Sequence, residues 1–177
     1  MTGAADTDLG VAARAAAAGD DAAFARIVTA HHEDMRRVCV VVTGDEQLAE
    51  DAVQSAWAIA WKSIGTLRQP ERLRPWLVSV AVNQAKDMLR KRRRAPEARL
   101  DVATDRVTGG VDPATGIEAL DLFAAMDRLD PEDRALIAMR YVVGFDASEI
   151  ASAIGLSASG TRTRLERVLD RLRQELA

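Results

Sequence analysis

Apolar residues in the first half of the chain recur at helical spacing. Phe24, Ile27, Val28, Met35, Val38 and Val42 are separated by steps built from three and four residues, the repeat of one α-helical face. Leu48, Ala52, Val53, Ala56, Ala60 and Ile64 form a second stripe of the same kind. Gly19-Asp20 and Gly44-Asp45 punctuate the pattern. Glycine takes the left-handed conformation that ends a helix, and aspartate offers an acceptor to the unpaired N–H groups that begin the next. The pattern predicts a short helix before Gly19, a second from Asp20 through the first stripe, and a third over residues 46–63. A loop over 65–74 holds Pro70, and a fourth helix runs from Pro75 to about residue 94. Pro75 then lies in a first turn, where a missing N–H costs nothing.

Periodicity fades over residues 95–116. Pro96, Gly109, Gly110, Pro113 and Gly116 mark this stretch as a linker. Helical spacing resumes over 117–128, and Asp130-Pro131 caps and opens a helix to about residue 143. A short helix over 146–154, a Gly155-Leu156-Ser157 turn and a last helix over 158–176 complete the chain. No stretch has the alternation of a strand, and no internal repeat is visible. The predicted fold is all-α, with small helical domains over 8–94 and 117–177 joined by a flexible linker.

Composition narrows the class. Hydrophobic residues make up 48% of the 177, enough for a packed core, while aromatics are only 4%, which favours helix over sheet. Net charge is −3, so any nucleic-acid affinity must come from the distribution of charge rather than its sum. Cys39 is the single cysteine, which excludes an internal disulfide and fits a reducing cytoplasm. No signal peptide or membrane-spanning run is recognisable, so no membrane insertion is expected. Metal-ligand clusters, phosphate-binding glycine loops and nucleophile–base pairs are not found, and neither a cofactor nor an enzymatic activity is expected. His31 and His32 are adjacent, cannot form an i, i+4 metal pair, and read as surface residues.

A short helix, a glycine-containing turn and a longer helix form the helix-turn-helix pattern. Leu165, Val168, Leu169, Leu172 and Leu176 give the last helix its core face. Arg162, Thr163, Glu166, Arg167 and Asp170 fall opposite. Arginine and glutamate in that position suit base edges in a major groove. Ser157, Ser159, Thr161 and Arg164 lie near the helix start, where phosphates bind. A solvated amphipathic helix would show the same two faces. The preceding Glu149-Ile150-Ala151 and Gly155, which supply the tight first helix and turn, favour DNA.

Basic residues fill positions 90–94, a density that suits a polyanion better than simple compensation of a helix dipole. The same helix carries Trp76, Ser79, Asn83 and Lys86 three or four residues apart. Asparagine suits base recognition, and tryptophan either stacks on an unpaired base or packs into the domain.

Together these residues resemble the extracytoplasmic-function class of RNA polymerase sigma factors in the sigma-70 family. Ala49-Glu50-Asp51-Ala52-Val53-Gln54 followed by Ala60-Trp61 is similar to the polymerase-binding helix of sigma region 2. Pro75-Trp76-Leu77, Ala81-Val82-Asn83-Gln84-Ala85-Lys86 and the basic run resemble the helix that reads the −10 element. The C-terminal half resembles region 4, which reads the −35 element. One departure is local. Ser159-Gly160-Thr161 stand where family members usually carry Gly-Thr-Val.

The resemblance implies an alternative sigma factor that binds core polymerase through its β and β′ subunits and directs initiation at particular promoters. It assigns core binding to Asp51, Gln54, Trp57 and Trp61. Contacts to −10 DNA fall to Arg72, Trp76, Ser79, Asn83, Lys86, Arg90, Arg92 and Arg93. Contacts to −35 DNA fall to Ser157, Ser159, Thr161, Arg162, Thr163, Arg164, Glu166 and Arg167. Loop 65–74 would form the pocket for an unpaired base, with Asn83 and Lys86 at its floor. An anti-sigma protein is a further partner that the resemblance admits. The two elements, roughly 17 base pairs apart, lie about 58 Å from each other at 3.4 Å per step. The linker of roughly 22 residues reaches about 70–80 Å when extended. Its Glu97, Asp101, Asp105 and Asp112 make it acidic, which suits a channel built for RNA. A free-standing helix-turn-helix regulator, and a helical interaction protein without a DNA role, are the competing readings.

Overall fold

The structure, a computed structural model, describes residues 2–94 and 116–176, with side chains from residue 8 in the first segment and 121 in the second. Helix α1 is Thr2–Ala17, α2 Asp21–Thr43, α3 Glu46–Ser63 and α4 Leu73–Arg94. The second segment forms α5 (Gly116–Arg128), α6 (Pro131–Tyr141), α7 (Ala147–Ile154) and α8 (Ala158–Glu175). The residues between Gly116 and Arg94, including the acidic positions 97, 101, 105 and 112, lie outside the described part.

The punctuation works as its chemistry predicts. Asp20 accepts from the Ala23 N–H at 2.9 Å, and Asp45 accepts from the Leu48 N–H at 2.8 Å. Each such cap is worth about 1 kcal/mol. Gly44 sits at φ 68°, the left-handed region, and closes α2 by donating to the Val40 carbonyl. The fourth helix differs from expectation. Two short 3-10 turns, Ile64–Thr66 and Pro70–Arg72, replace an open loop, and α4 begins at Leu73 rather than Pro75. The Leu73 N–H already bonds the Pro70 carbonyl and its side chain is buried, so the backbone is wound before Pro75 is reached.

Helices α2, α3 and α4 pack on one another, and α1 covers α2. Their shared core includes Ile27, Met35, Val38, Val42, Val53, Leu77, Val78 and Val82. Helix α6 packs against α2 and α7 against α4, so Leu136, Met139, Phe145 and Ile150 join that same core. A smaller cluster of Ala125, Leu129, Ile137, Val168 and Leu172 holds α5 and α8 to α6.

Two expectations are corrected. His31 is buried, not at the surface, because it continues the inward row Ile27, Met35, Val38, Val42. Leu176 is 46% exposed, because it caps α8 beyond the last turn that touches the core. Cys39 is fully buried, and burial pushes its thiol up to about 12, as expected of a packing residue without a thiolate role. Among the described residues no helix is long and apolar enough to cross a membrane, and no group of His, Cys, Asp or Glu could hold a metal ion.

Candidate nucleic-acid and polymerase interfaces

Helix α3 turns Ala49, Ala52, Val53, Ala56 and Ala60 inward, which leaves the opposite side open. Asp51 and Gln54 are exposed there, and Trp61 is 38% exposed. Phe24 of α2 supports both tryptophans edge-on, at 5.7 Å from Trp57 and 4.8 Å from Trp61. Trp57 is half-buried, and its indole N–H donates to His32 Nδ1 at 3.3 Å. Trp57 therefore braces the surface while Trp61 presents it. Ile59, 39% exposed, adds apolar area that the sequence reading missed.

On α4 the expected stripe divides. Trp76 is half-buried against the core, and the Ser79 hydroxyl is occupied by the Trp76 carbonyl at 2.7 Å. Asn83 is exposed. The Lys86 ammonium lies 3.9 Å from Glu132 of α6. Arg90 pairs with Asp87 one turn back. Arg93 faces water, whereas Arg92 donates to Asp45 at 2.7 Å. That aspartate also caps α3, so Arg92 ties the end of α4 to the start of the neighbouring helix and its guanidinium is engaged inside the protein. Arg72 reaches Ser152 of α7 at 3.1 Å.

Helices α7 and α8 make the helix-turn-helix. Asp146 and Glu149 form a capping box at the start of α7, and Gly155 at φ 72° turns the chain. Ser157 caps α8 by accepting from the Gly160 N–H at 3.0 Å. A Cβ on residue 160 would lie 3.1 Å from that hydroxyl, so the cap explains the glycine there. Arg162, Thr163, Glu166 and Arg167 are exposed together on the outer face, with Ser159 beside the cap. Thr161 departs from its expected role as a DNA contact. It is 0% exposed, one turn before Leu165 and two turns before Val168 on the inward side. Arg164 departs as well. Its Nε donates to Asp133 at 2.8 Å, and Asp130 lies 3.9 Å away.

Two features lay outside the sequence reading. Arg74 donates to Asp34 and to the Val143 carbonyl, both at 2.8 Å, with its guanidinium 4.9 Å over the Phe145 ring. An apolar groove of about 600 Å³ runs between α2 and helices α5, α6 and α8, lined by Val40, Phe123, Met126, Tyr141 and Leu169 among others. Leu122, Phe123 and Tyr141 stand exposed around it.

Known proteins resemble the chain in sequence and fold. Residues 27–95 match the family Sigma-70 region 2, and residues 119–172 match Sigma-70, region 4. The probable RNA polymerase sigma factor RfaY of Xanthomonas campestris pv. campestris is 31% identical over 91% of the chain, which spans 42% of that relative. The ECF RNA polymerase sigma factor SigM of Mycobacterium tuberculosis is 28% identical over 88% of the chain, which spans 78% of it. The chain belongs to the sigma-70 family, in the extracytoplasmic-function class. In fold, this sigma factor superposes on RpoE from Bartonella quintana, solved in complex with the anti-sigma factor NepR. The TM-score is 0.71 at 22% identity, over 86% of this chain and 96% of the other. The region 2 match thus runs from within α2 through α4, and the region 4 match from within α5 into α8.

Proposed function

We propose that this sigma factor is a promoter-specificity subunit that binds core RNA polymerase and directs initiation by reading −10 and −35 elements. One observation carries the reading. Asn83 on α4, the group Arg162, Thr163, Glu166 and Arg167 on α8, and Asp51, Gln54 and Trp61 on α3 are all exposed. A free-standing regulator has no use for the third surface.

The roles follow from chemistry. Unstacking a base costs a few kcal/mol, and a pocket that holds the unpaired base offsets it. Loop 65–74 with Asn83 and Lys86 is that pocket. Arg90, Lys91, Arg93 and Arg94 act on phosphates without regard to sequence. Helix α8 enters the major groove, with Arg162 and Arg167 suited to guanine and Glu166 to cytosine. Polymerase performs the chemistry in the cytoplasm, and this chain supplies none. An anti-sigma protein is a proposed further partner, and the apolar groove around Phe123 and Tyr141 is a surface it would cover.

The test is sequencing of transcripts whose start sites depend on the protein, for the natural chain and for Asn83→Ala. One shared pair of upstream motifs is expected, with the variant changing the preferred base at one or two −10 positions. Dependent transcripts with no common −10 motif would refute the reading.

A further inference from the structure

Trp57 has one polar atom, an indole N–H that donates and cannot accept. Its acceptor is Nδ1 of His32, across the α2–α3 contact at 3.3 Å. The bond fixes the imidazole as well as the indole. A neutral ring carries one proton, so with Nδ1 accepting, that proton resides on Nε2. Nε2 faces Glu50 Oε1 of α3 at 3.9 Å. Along α2 the neighbouring charges are Glu33 and Arg36, which bond each other at 3.1 Å. Glu33 feels His32, and Arg36 in turn feels Glu46 and Glu50 of α3. The ring thus sits between a neutral donor on one edge and a carboxylate on the other.

The indole held by this bond is one side of an aromatic group. Trp57 and Trp61 stand one turn apart on α3, and both rest edge-on against Phe24, at 5.7 Å and 4.8 Å. Phe24 is therefore confined by Trp57 on one side and supports the exposed Trp61 on the other. A proton added to His32 changes what each edge of the imidazole can do. Nδ1 becomes a donor and meets the Trp57 N–H as like against like. Nε2 gains an ion pair with Glu50, but the two side chains are 38% and 52% exposed. Water screens a pair so open and leaves it worth little. The loss at Trp57 outweighs that gain, and the ring that steadies Phe24 and Trp61 is set free.

We propose that His32 is a positioning residue for polymerase binding. Its neutral imidazole holds the Trp57 indole so that Trp61 meets polymerase in a preformed orientation, and its protonation loosens that surface. This rests on the proposed function, in which α3 carries the core-binding face. A side chain already ordered before contact avoids the entropy loss of ordering it on binding. Affinity for core therefore falls as pH drops through the range in which an imidazole takes its proton.

The experiment compares the full natural chain with His32→Asn and His32→Leu. Asparagine sets a carboxamide oxygen where Nδ1 stands, an acceptor that takes no proton, whereas leucine removes the acceptor. In nuclear magnetic resonance spectra of the free chain, the Trp57 indole N–H is the signal missing from Trp57→Phe. It should shift between about pH 8 and about pH 5.5 with the midpoint of the His32 ring protons. It should stay fixed in His32→Asn and lie at the released position throughout in His32→Leu. Core polymerase binding of the natural chain should weaken over the same interval by about three- to ten-fold relative to His32→Asn, the loss of one hydrogen bond. His32→Leu should bind weakly at both ends, and should add nothing in a Trp57→Phe background. An indole signal indifferent to His32→Leu, or one pH dependence of core binding shared by the natural and His32→Asn chains, would overturn the proposal. The resonance arm needs no polymerase. A chain that bound core at no pH would refute the proposed function, and the positioning role with it, while that arm still decided the His32–Trp57 bond.

Discussion

Arg164 of the recognition helix donates from Nε to Asp133 Oδ1 at 2.8 Å and so pins α8 to α6. Asp133 is nearly buried, and its own N–H is held by the Asp130 cap at 3.0 Å. Removing the arginine strands a carboxylate away from water. Arg164→Ala should lower folding stability by about 1–3 kcal/mol, the usual cost of an unmade bond to a charged group. Urea unfolding followed by circular dichroism measures it, and an unchanged midpoint would show that Arg164 is spare and available to phosphates.

Arg92 and Arg93 are neighbours with different fates. Arg93 is exposed, whereas Arg92 bonds Asp45, the cap of α3. Arg93→Ala should reduce the slope of log affinity against log salt for promoter DNA by about 1 and leave the melting temperature alone. Arg92→Ala should lower the melting temperature with less effect on the slope. A salt titration of both holoenzymes, paired with thermal melts of the free chains, separates the two.

Arg167 and Arg171 sit one turn apart on α8. Arg167 is exposed on the outer face of α8, while Arg171 donates to the Arg128 carbonyl at 3.2 Å and closes the end of α5. Arg167→Ala should cost about 1–3 kcal/mol on a matched −35 duplex and little on a mismatched one. Arg171→Ala should cost less and equally on both. Equal losses on both duplexes for Arg167→Ala would place that residue on phosphates.

Cys39 gives the fold an alkaline weakness. In the unfolded chain a thiol ionises near about 8.5, whereas burial holds Cys39 protonated to about 12. Below the lower value neither state ionises and the residue contributes no pH dependence. Between the two values unfolding releases a proton, so stability falls as pH rises, by up to about 1.4 kcal/mol per pH unit. Cys39→Ala should be less stable near neutrality but lose less between pH 8.5 and 10. Urea midpoints across that range provide the check, with parallel declines in both chains as the contrary result.

What could be read from the sequence was local. Helix ends at Asp20, Gly44, Asp45, Asp130 and Gly155 follow from single-residue chemistry, and the outer face of α8 follows from its period. His31 was legible too, since it lies four residues from both Ile27 and Met35, but an adjacent pair of histidines drew attention to polarity instead. Thr161 and Arg164 were not, because at the start of a recognition helix a polar side chain suits a phosphate or an inner partner equally well. The docking of region 4 on region 2 lay beyond reach. Arg74 and Val143 are separated by 69 residues, and neither type signals the other. Gly160 departs from the family pattern, and the structure adds that it makes room for the Ser157 cap.

The central claim is that this sigma factor confers promoter choice on polymerase through α3. Run-off transcription with core polymerase, on a template carrying a mapped dependent promoter, tests it most directly. The transcript should appear only with the protein present. It should fall sharply, together with core affinity, for Asp51→Ala with Gln54→Ala, whose helical circular dichroism should be unchanged because both side chains are exposed. A transcript equally strong with core alone, or a double variant that binds core and initiates as well as the natural chain, would contradict the account.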